Sequence, residues 1–171
     1  TWNGTSWSEV ANLNAAKYSM GGAGSNTATF AFGGTPGSGF SATTEQWSTT
    51  QPIGAWSSSG SLTTARSQAA GSGTETAGLA FGGQTSPGAV SALNEKYNGS
   101  TWSEDADLTT ARRTIAGSGT QTSSIAFGGN TNPSSATPSA LSEEWNGTSW
   151  SETADLNTAR FGLAGAGADK E

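Results

Sequence analysis

The sequence predicts an all-β chain built from repeated four-stranded units, and three observations carry that reading. Trp7, Trp56, Trp102 and Trp150 are each followed ten residues later by a basic residue, Lys17, Arg66, Arg112 and Arg160. The first three basic residues are each followed sixteen residues later by a Gly-Gly pair, Gly33-Gly34, Gly82-Gly83 and Gly128-Gly129. Between these landmarks apolar and small residues alternate with the period of a strand, and no stretch has helical 3.6-residue spacing. The Trp-to-Trp steps of 49, 46 and 48 residues lie in the range of stacked supersecondary units. Four antiparallel strands in each unit of about 48 residues make the blade of a β-propeller.

The elements follow in order within each unit. The first strand runs from the residue after the basic position: Tyr18–Gly24, Ser67–Gly73, Arg113–Gly119 and Phe161–Gly167. Apart from Met20, Ala69, Ile115 and Leu163 it is mostly Gly, Ala or Ser. Small residues weaken a strand, but they suit strands that converge around an axis. The second strand is Thr29–Gly34, Gly78–Gly83 and Ser124–Gly129, where Phe30, Phe32, Leu79, Phe81, Ile125 and Phe127 alternate with Ala31, Ala80 and Ala126. Its Gly pair predicts positive φ at one or both positions. The third strand is Ala42–Trp47, Ala92–Tyr97 and Ala140–Trp145.

Asn3-Gly4, Asn98-Gly99 and Asn146-Gly147 then predict type I′ hairpins, which need φ > 0 twice. The connection from Trp47 to Trp56 is longer and carries Pro52 and Gly54. A short fourth strand follows each Trp, and the chain turns inward at Asp107-Leu108 or Asp155-Leu156. The division is a half blade over 1–16, with Trp2 and Trp7 as its third- and fourth-strand aromatics, and blades over 17–62, 63–108 and 109–156. An inner strand of a further blade occupies 157–171. This single segment, about three and a half blades, is expected to belong to a larger ring, completed by further sequence or by a second copy.

Composition narrows the function. Hydrophobic residues are 32% of the 171, a fraction that leans toward disorder. The seven Trp and six Phe oppose that, because they recur at framework positions. The net charge of −6 disfavours nucleic acid, which requires a basic surface to replace counterions, and disfavours anionic membranes. Absence of cysteine excludes disulfides and thiolate chemistry. Absence of histidine removes the commonest general base and metal ligand. No apolar run reaches the 18 residues or so of a membrane span. The first residue is Thr, which fits an excerpt of a longer polypeptide or a processed product. No cofactor and no metal is expected.

These residues resemble the kelch-repeat family. Kelch blades end the second strand in Gly-Gly and then carry two aromatics a few residues apart, here Trp47 and Trp56, Tyr97 and Trp102, Trp145 and Trp150. The Leu-x-Thr-Ala-Arg leads at Leu62–Arg66, Leu108–Arg112 and Leu156–Arg160 are also kelch-like. In wording the chain is similar to kelch-like virion proteins of tailed bacteriophages of aquatic bacteria. That resemblance implies a virion or extracellular location and a role as tail fibre, adhesin or surface decoration. The implied partners are a host-surface glycan or other virion proteins.

Candidate binding residues come from length variation. From the Gly pair to the next aromatic the chain takes 13, 14 and 16 residues, and such variation marks surface loops. In a four-stranded antiparallel blade these loops share a face with the blade-to-blade connections. Thr35–Phe40, Gln84–Val90 and Asn130–Ser139 are therefore expected to crowd one face. Thr35, Ser38, Phe40, Gln84, Thr85, Ser86, Asn130, Thr131 and Asn132 are the candidate ligand contacts. Their polar composition suits sugars, although loops tolerated without any ligand look the same.

Lys17, Arg66, Arg112 and Arg160 suggest either a ring attracting acidic glycans or, the favoured reading, pairs with third-strand Glu45, Glu95 and Glu143. Arg113 is added to the ligand set because Tyr18, Ser67 and Phe161 hold the equivalent positions. Asn3-Gly4-Thr5, Asn98-Gly99-Ser100 and Asn146-Gly147-Thr148 match a glycosylation acceptor, but the hairpin explains them better. The Trp residues repeat with the framework and are expected to pack blades rather than stack sugars.

Catalysis has little support. Glycosidases need two carboxylates facing one cleft, and nearly all the acids here fall at repeat positions. Asp105 and Glu75 are the exceptions that a polysaccharide depolymerase would have to use. The expected function is thus non-enzymatic binding of host polysaccharide. A structural decoration module and a depolymerase are the alternatives.

Overall fold

The structure, a computed structural model, describes residues 3–49 and 55–167. Their regular structure is entirely β. The first blade is β1 (Gly21–Gly24), β2 (Ala28–Phe32), β3 (Thr44–Ser48) and β4 (Ala55–Ser59). The second interleaves with a small sheet. In chain order the strands are β5 (Arg66–Ser67), β6 (Ala70–Thr74), β7 (Ala77–Phe81), β8 (Gln84–Thr85), β9 (Ala89–Val90), β10 (Asn94–Tyr97) and β11 (Trp102–Asp105). The third blade is β12 (Ala116–Gly119), β13 (Ser124–Phe127), β14 (Ser142–Trp145) and β15 (Trp150–Thr153). Each blade is a four-stranded antiparallel sheet in simple up-and-down order, and β5-β8-β9 form a separate three-stranded sheet.

The glycine-rich strands β1, β6 and β12 lie side by side as the inner strands of successive blades. Their small residues have a specific cause. A Cβ on Gly71 would lie 2.8 Å from the Phe32 ring, and a Cβ on Gly117 would overlap the Phe81 ring. Phe127 stands in the same relation to Gly165. The last second-strand aromatic of each blade therefore rests on a glycine of the next inner segment.

The fourth-strand Trp completes this contact from the far side. The ring centroid of Trp102 is 5.3 Å from that of Phe32, and the centroid of Trp150 is 4.9 Å from that of Phe81. Two cores result, one between the first and second blades (Phe30, Phe32, Leu62, Tyr97, Trp102) and one between the second and third (Leu79, Phe81, Leu108, Ile115, Trp145, Trp150). Phe32, Leu79, Phe81 and Tyr97 are fully buried, each stabilising by about 2–3 kcal/mol. The core thus sits between blades. Trp56 is half-buried and Trp7 is 79% exposed, so the fourth-strand position is not buried at Trp7 as it is at Trp102 and Trp150.

A second device locks the inner edge. Ser19, Gln68 and Thr114 have φ of 54°, 58° and 49°, and Gly162, at the fourth equivalent position, has 67°. Gln68 N–H donates to Ser19 O (2.8 Å), Thr114 N–H to Gln68 O (2.9 Å), and Gly162 N–H to Thr114 O (3.0 Å). This backbone chain passes from blade to blade. Left-handed φ is costly for non-glycine residues, and here it aims each amide at the preceding carbonyl.

The array is open, not a closed ring. Residues 3–16 flank the first blade, and residues 161–167 lie along β12, where Ser118 Oγ donates to Gly167 O at 2.9 Å.

Both glycines of each Gly-Gly pair have positive φ, for example Gly82 at 66° and Gly83 at 103°. The Asn-Gly turns differ from expectation. Only the glycines are positive (Gly4 94°, Gly99 93°, Gly147 94°), and Tyr97 faces Trp102 and Trp145 faces Trp150 across four-residue loops. The Asn98 Oδ1 accepts from the N–H groups of Ser100 and Thr101, and Asn3 and Asn146 repeat the pattern. The asparagine side chain bridges the turn, so its backbone has no need of the left-handed region. The expected inner strands also begin later, because Tyr18, Ser67 and Arg113 pair with loop residues Thr35, Gln84 and Asn130 instead. Trp2, Pro52 and Gly54 lie outside the described residues.

Candidate functional site

The basic residues belong to the framework of each blade. Arg66 and Arg112 are fully buried. Arg112 Nη2 donates to Glu143 Oε1 at 2.6 Å, and its Nη1 to the carbonyls of Gly128 and Leu141. Arg66 donates to the Leu93 and Ala80 carbonyls, with Nη2 3.0 Å from Glu95 Oε1, an ion pair off the hydrogen-bond axis. Lys17 Nζ is 3.6 Å from Glu45 Oε1. The other oxygen of each carboxylate accepts a connector N–H at 2.7 Å, from Thr109 on Glu143, Thr63 on Glu95 and Asn14 on Glu45. Burial pushes the Arg66 and Arg112 guanidinium pKa values down, and the facing glutamates pull them back. Charges so enclosed form no ring for acidic glycans. Arg160 keeps the backbone role, donating its N–H to Ser139 O and accepting from Gly129 N–H, but its side chain is exposed.

Those backbone bonds also place the variable loops. Gly34, Gly83 and Gly129 N–H groups reach the carbonyls of Arg66, Arg112 and Arg160, and the amides of those arginines return to Ser41, Ser91 and Ser139. Both ends of each loop are thereby tied to the blade-to-blade connector on one face. Within the loops, Thr35 (8% exposed) and Asn130 (3%) form buried bases. Asn130 Oδ1 accepts from Asn132 and Thr137 N–H groups, and its Nδ2 donates to Ser135 O. Gln84 Nε2 donates to Gly88 O, and Thr85 Oγ1 to Ala89 O. Ser38, Ser86 and Thr131 are exposed, and Phe40 and Asn132 are half-buried.

The second and third loops meet. Gln84, Pro87, Gly88 and Ala89 from one and Pro133 and Ser134 from the other line an open groove of about 370 Å³. Nothing places the Thr35–Phe40 loop in that groove. Arg113 joins the third loop, its Nε donating to Asn132 O (3.1 Å) and its Nη1 to Gln68 Oε1 (3.2 Å). It has no carboxylate partner among the described residues. Gln68 was not legible as a site residue, since nothing about a Gln after Arg-Ser announces the inner backbone chain.

A second cavity, about 450 Å³, lies at the C-terminal ends of the inner strands and is lined by Gly24, Ser25, Gly73, Thr74, Glu75, Gly119, Thr120 and Gly167. These residues follow the inner strands, so the cavity opens away from the loops. Glu75 lies there, whereas Asp105 sits at the end of β11, with Oδ2 2.5 Å from Lys96 Nζ, so the two acids do not face one cleft. Among the described residues no group of three acidic side chains is placed to hold a metal ion. No family model matches the chain, and no curated protein matches it in sequence.

Proposed function

We propose that the chain is a kelch-type propeller segment of a phage virion surface or tail-fibre protein, outside the cell, that binds host-surface polysaccharide without catalysis. The observation that carries this reading is the groove between Gln84–Ala89 and Pro133-Ser134 on the face where the variable loops are anchored. Framework charges and most aromatics are consumed in blade packing. The loops instead offer hydroxyl, amide and backbone groups on bases fixed by Asn130 and Gln84. Such groups suit neutral or acidic sugars, with Arg113 beside the third loop as the available cation. The test is a bacterial glycan array probed with multimerised chain. Saturable binding that Ser134→Trp blocks supports the reading, and an intact chain that binds no glycan opposes it.

A structural role in the virion is the second reading. It is favoured by the exposed Trp7, Tyr18 and Phe161 at the two open edges.

A further inference from the structure

Arg113 interrupts the repeat where two variable loops and the inner backbone chain come together. Its equivalents are Tyr18, Ser67 and Phe161, so the blade does not need a cation at this position. The framework pair of the same blade is made by the preceding residue, Arg112, with Glu143. Arg113 is nonetheless held in one place. Its backbone exchanges hydrogen bonds with Asn130 at 3.0 and 2.8 Å, and the next residue, Thr114, donates its N–H to Gln68 O at 2.9 Å. Its side chain is fixed on two sides, Nε donating to Asn132 O at 3.1 Å and Nη1 to Gln68 Oε1 at 3.2 Å. A mobile arginine loses about 2 kcal/mol of rotamer freedom when a ligand orders it, and this one is ordered beforehand by the fold.

The neighbours set its place. Asn132 precedes Pro133, which with Ser134 forms one wall of the loop groove. Gln68 follows Ser67, which pairs with Gln84 of the other wall. The Arg113–Gln68 bond therefore joins the bases of the two walls. Both acceptors of the guanidinium are neutral oxygens. Its Nη2, which makes neither bond, is not closed off from solvent. A half-buried guanidinium fixed in this way presents charged N–H donors in a set direction, which suits the paired oxygens of a carboxylate.

We propose that Arg113, positioned by Gln68 and the Asn132 carbonyl, reads a carboxylate on the glycan, so that the groove takes acidic polysaccharide containing a uronic acid. The inference rests on the reading that the loops bind glycan, and adds the sugar class and the residue that selects it. Lys17, Arg66, Lys96 and Arg112 each face a carboxylate of their own. The net charge of −6 works against bulk attraction of polyanions, so preference for an acidic polymer has to come from a local cation at the groove.

The test is interferometry of the multimerised full chain on immobilised polygalacturonate, alginate and hyaluronan. Each is used also in its carboxyl-reduced, neutral form, and dextran sulfate is the sulfated comparison. The expected result is saturable binding to at least one carboxylated polymer, weaker by about tenfold or more on its reduced form and on dextran sulfate. Arg113→Ser, which copies the Ser67 position, should lose the same factor on the carboxylated polymer and nothing on the reduced one. Gln68→Glu, nearly identical in shape, supplies Arg113 with an internal carboxylate and should lose as much. Arg160→Ser, which removes an exposed arginine outside this cluster, should lose less than about threefold. Circular dichroism and the unfolding midpoint establish that each variant is folded. A carboxylated polymer bound equally by wild type and Arg113→Ser, or no better than its reduced form, overturns the proposal and leaves the glycan reading standing. Stronger binding to dextran sulfate overturns the carboxylate in favour of a sulfate. No binding to any of these polymers by the folded chain overturns the proposal together with the reading beneath it.

Discussion

Gly117 in β12 lies against the Phe81 ring of β7 with no room between them for a Cβ. The contact crosses from one blade to the next, so it decides how closely blades approach. Gly117→Ala should cost about 1–3 kcal/mol by overpacking. Adding Phe81→Leu should make the double variant less destabilised than the sum of the singles, by at least about 0.5 kcal/mol. Urea unfolding of the four proteins measures this coupling, and simple additivity would refute the contact.

The Arg112–Glu143 pair is enclosed at 2.6 Å with both side chains fully buried. Glu143→Gln leaves a buried guanidinium without its counter-charge and should cost about 3–5 kcal/mol. Arg112→Met with Glu143→Leu should cost less than the two single changes together, because neither charge is stranded. Thermal unfolding at neutral pH distinguishes these outcomes.

Asp105 gives a pH dependence. Its partial burial works to raise its pKa, but the hydrogen bonds from Lys96 and the Ala106 N–H prevail and hold it below the ordinary value. A carboxylate whose pKa is depressed on folding stabilises above its unfolded pKa, near 4, and loses that contribution as pH falls through the folded value. Asp105→Asn should therefore lower stability at pH 7 by a few tenths to about 1 kcal/mol, in keeping with a partly exposed pair. The difference should shrink as pH falls below the unfolded value and vanish once the folded carboxyl is protonated as well. A difference that persists unchanged at low pH contradicts the assignment.

Asn130 ties together the loop that follows it through three hydrogen bonds. Asn130→Ala should speed hydrogen exchange at the Asn132 and Thr137 amides while leaving the Gly117 amide protected. The expected local cost is about 1–3 kcal/mol. It should also weaken any glycan binding at the groove, although Asn130 itself is buried.

The blade was legible because its determinants are local and repeated. Trp and Arg spacing, the Gly-Gly pair and strand alternation each report one unit, and three units agree. Interfaces between units were less legible. Nothing in the sequence of β6 names Phe32 as the reason for Gly71, since the two belong to different blades. The positive φ at Ser19, Gln68 and Thr114 was hidden for a related cause: three unlike residues share a conformation imposed by neighbouring carbonyls. The Asn-Gly turns misled because an asparagine side chain closes a four-residue loop as readily as its backbone enters a type I′ turn. For the candidate site, loop length variation singled out the three loops, but which of their polar residues point outward depended on bonds inside each loop. Asn130 was consumed there, and Thr35 is buried where its backbone pairs with Tyr18.

The most direct test of the account is attachment of the purified, multimerised chain to bacterial cells. Wild type is compared with a variant whose Thr35–Phe40, Gln84–Val90 and Asn130–Ser139 loops are trimmed to Gly-Ser. The account predicts saturable attachment by the wild type, lost on trimming while the far-ultraviolet spectrum and unfolding midpoint stay close to wild type. Undiminished attachment by a folded, trimmed chain would contradict it.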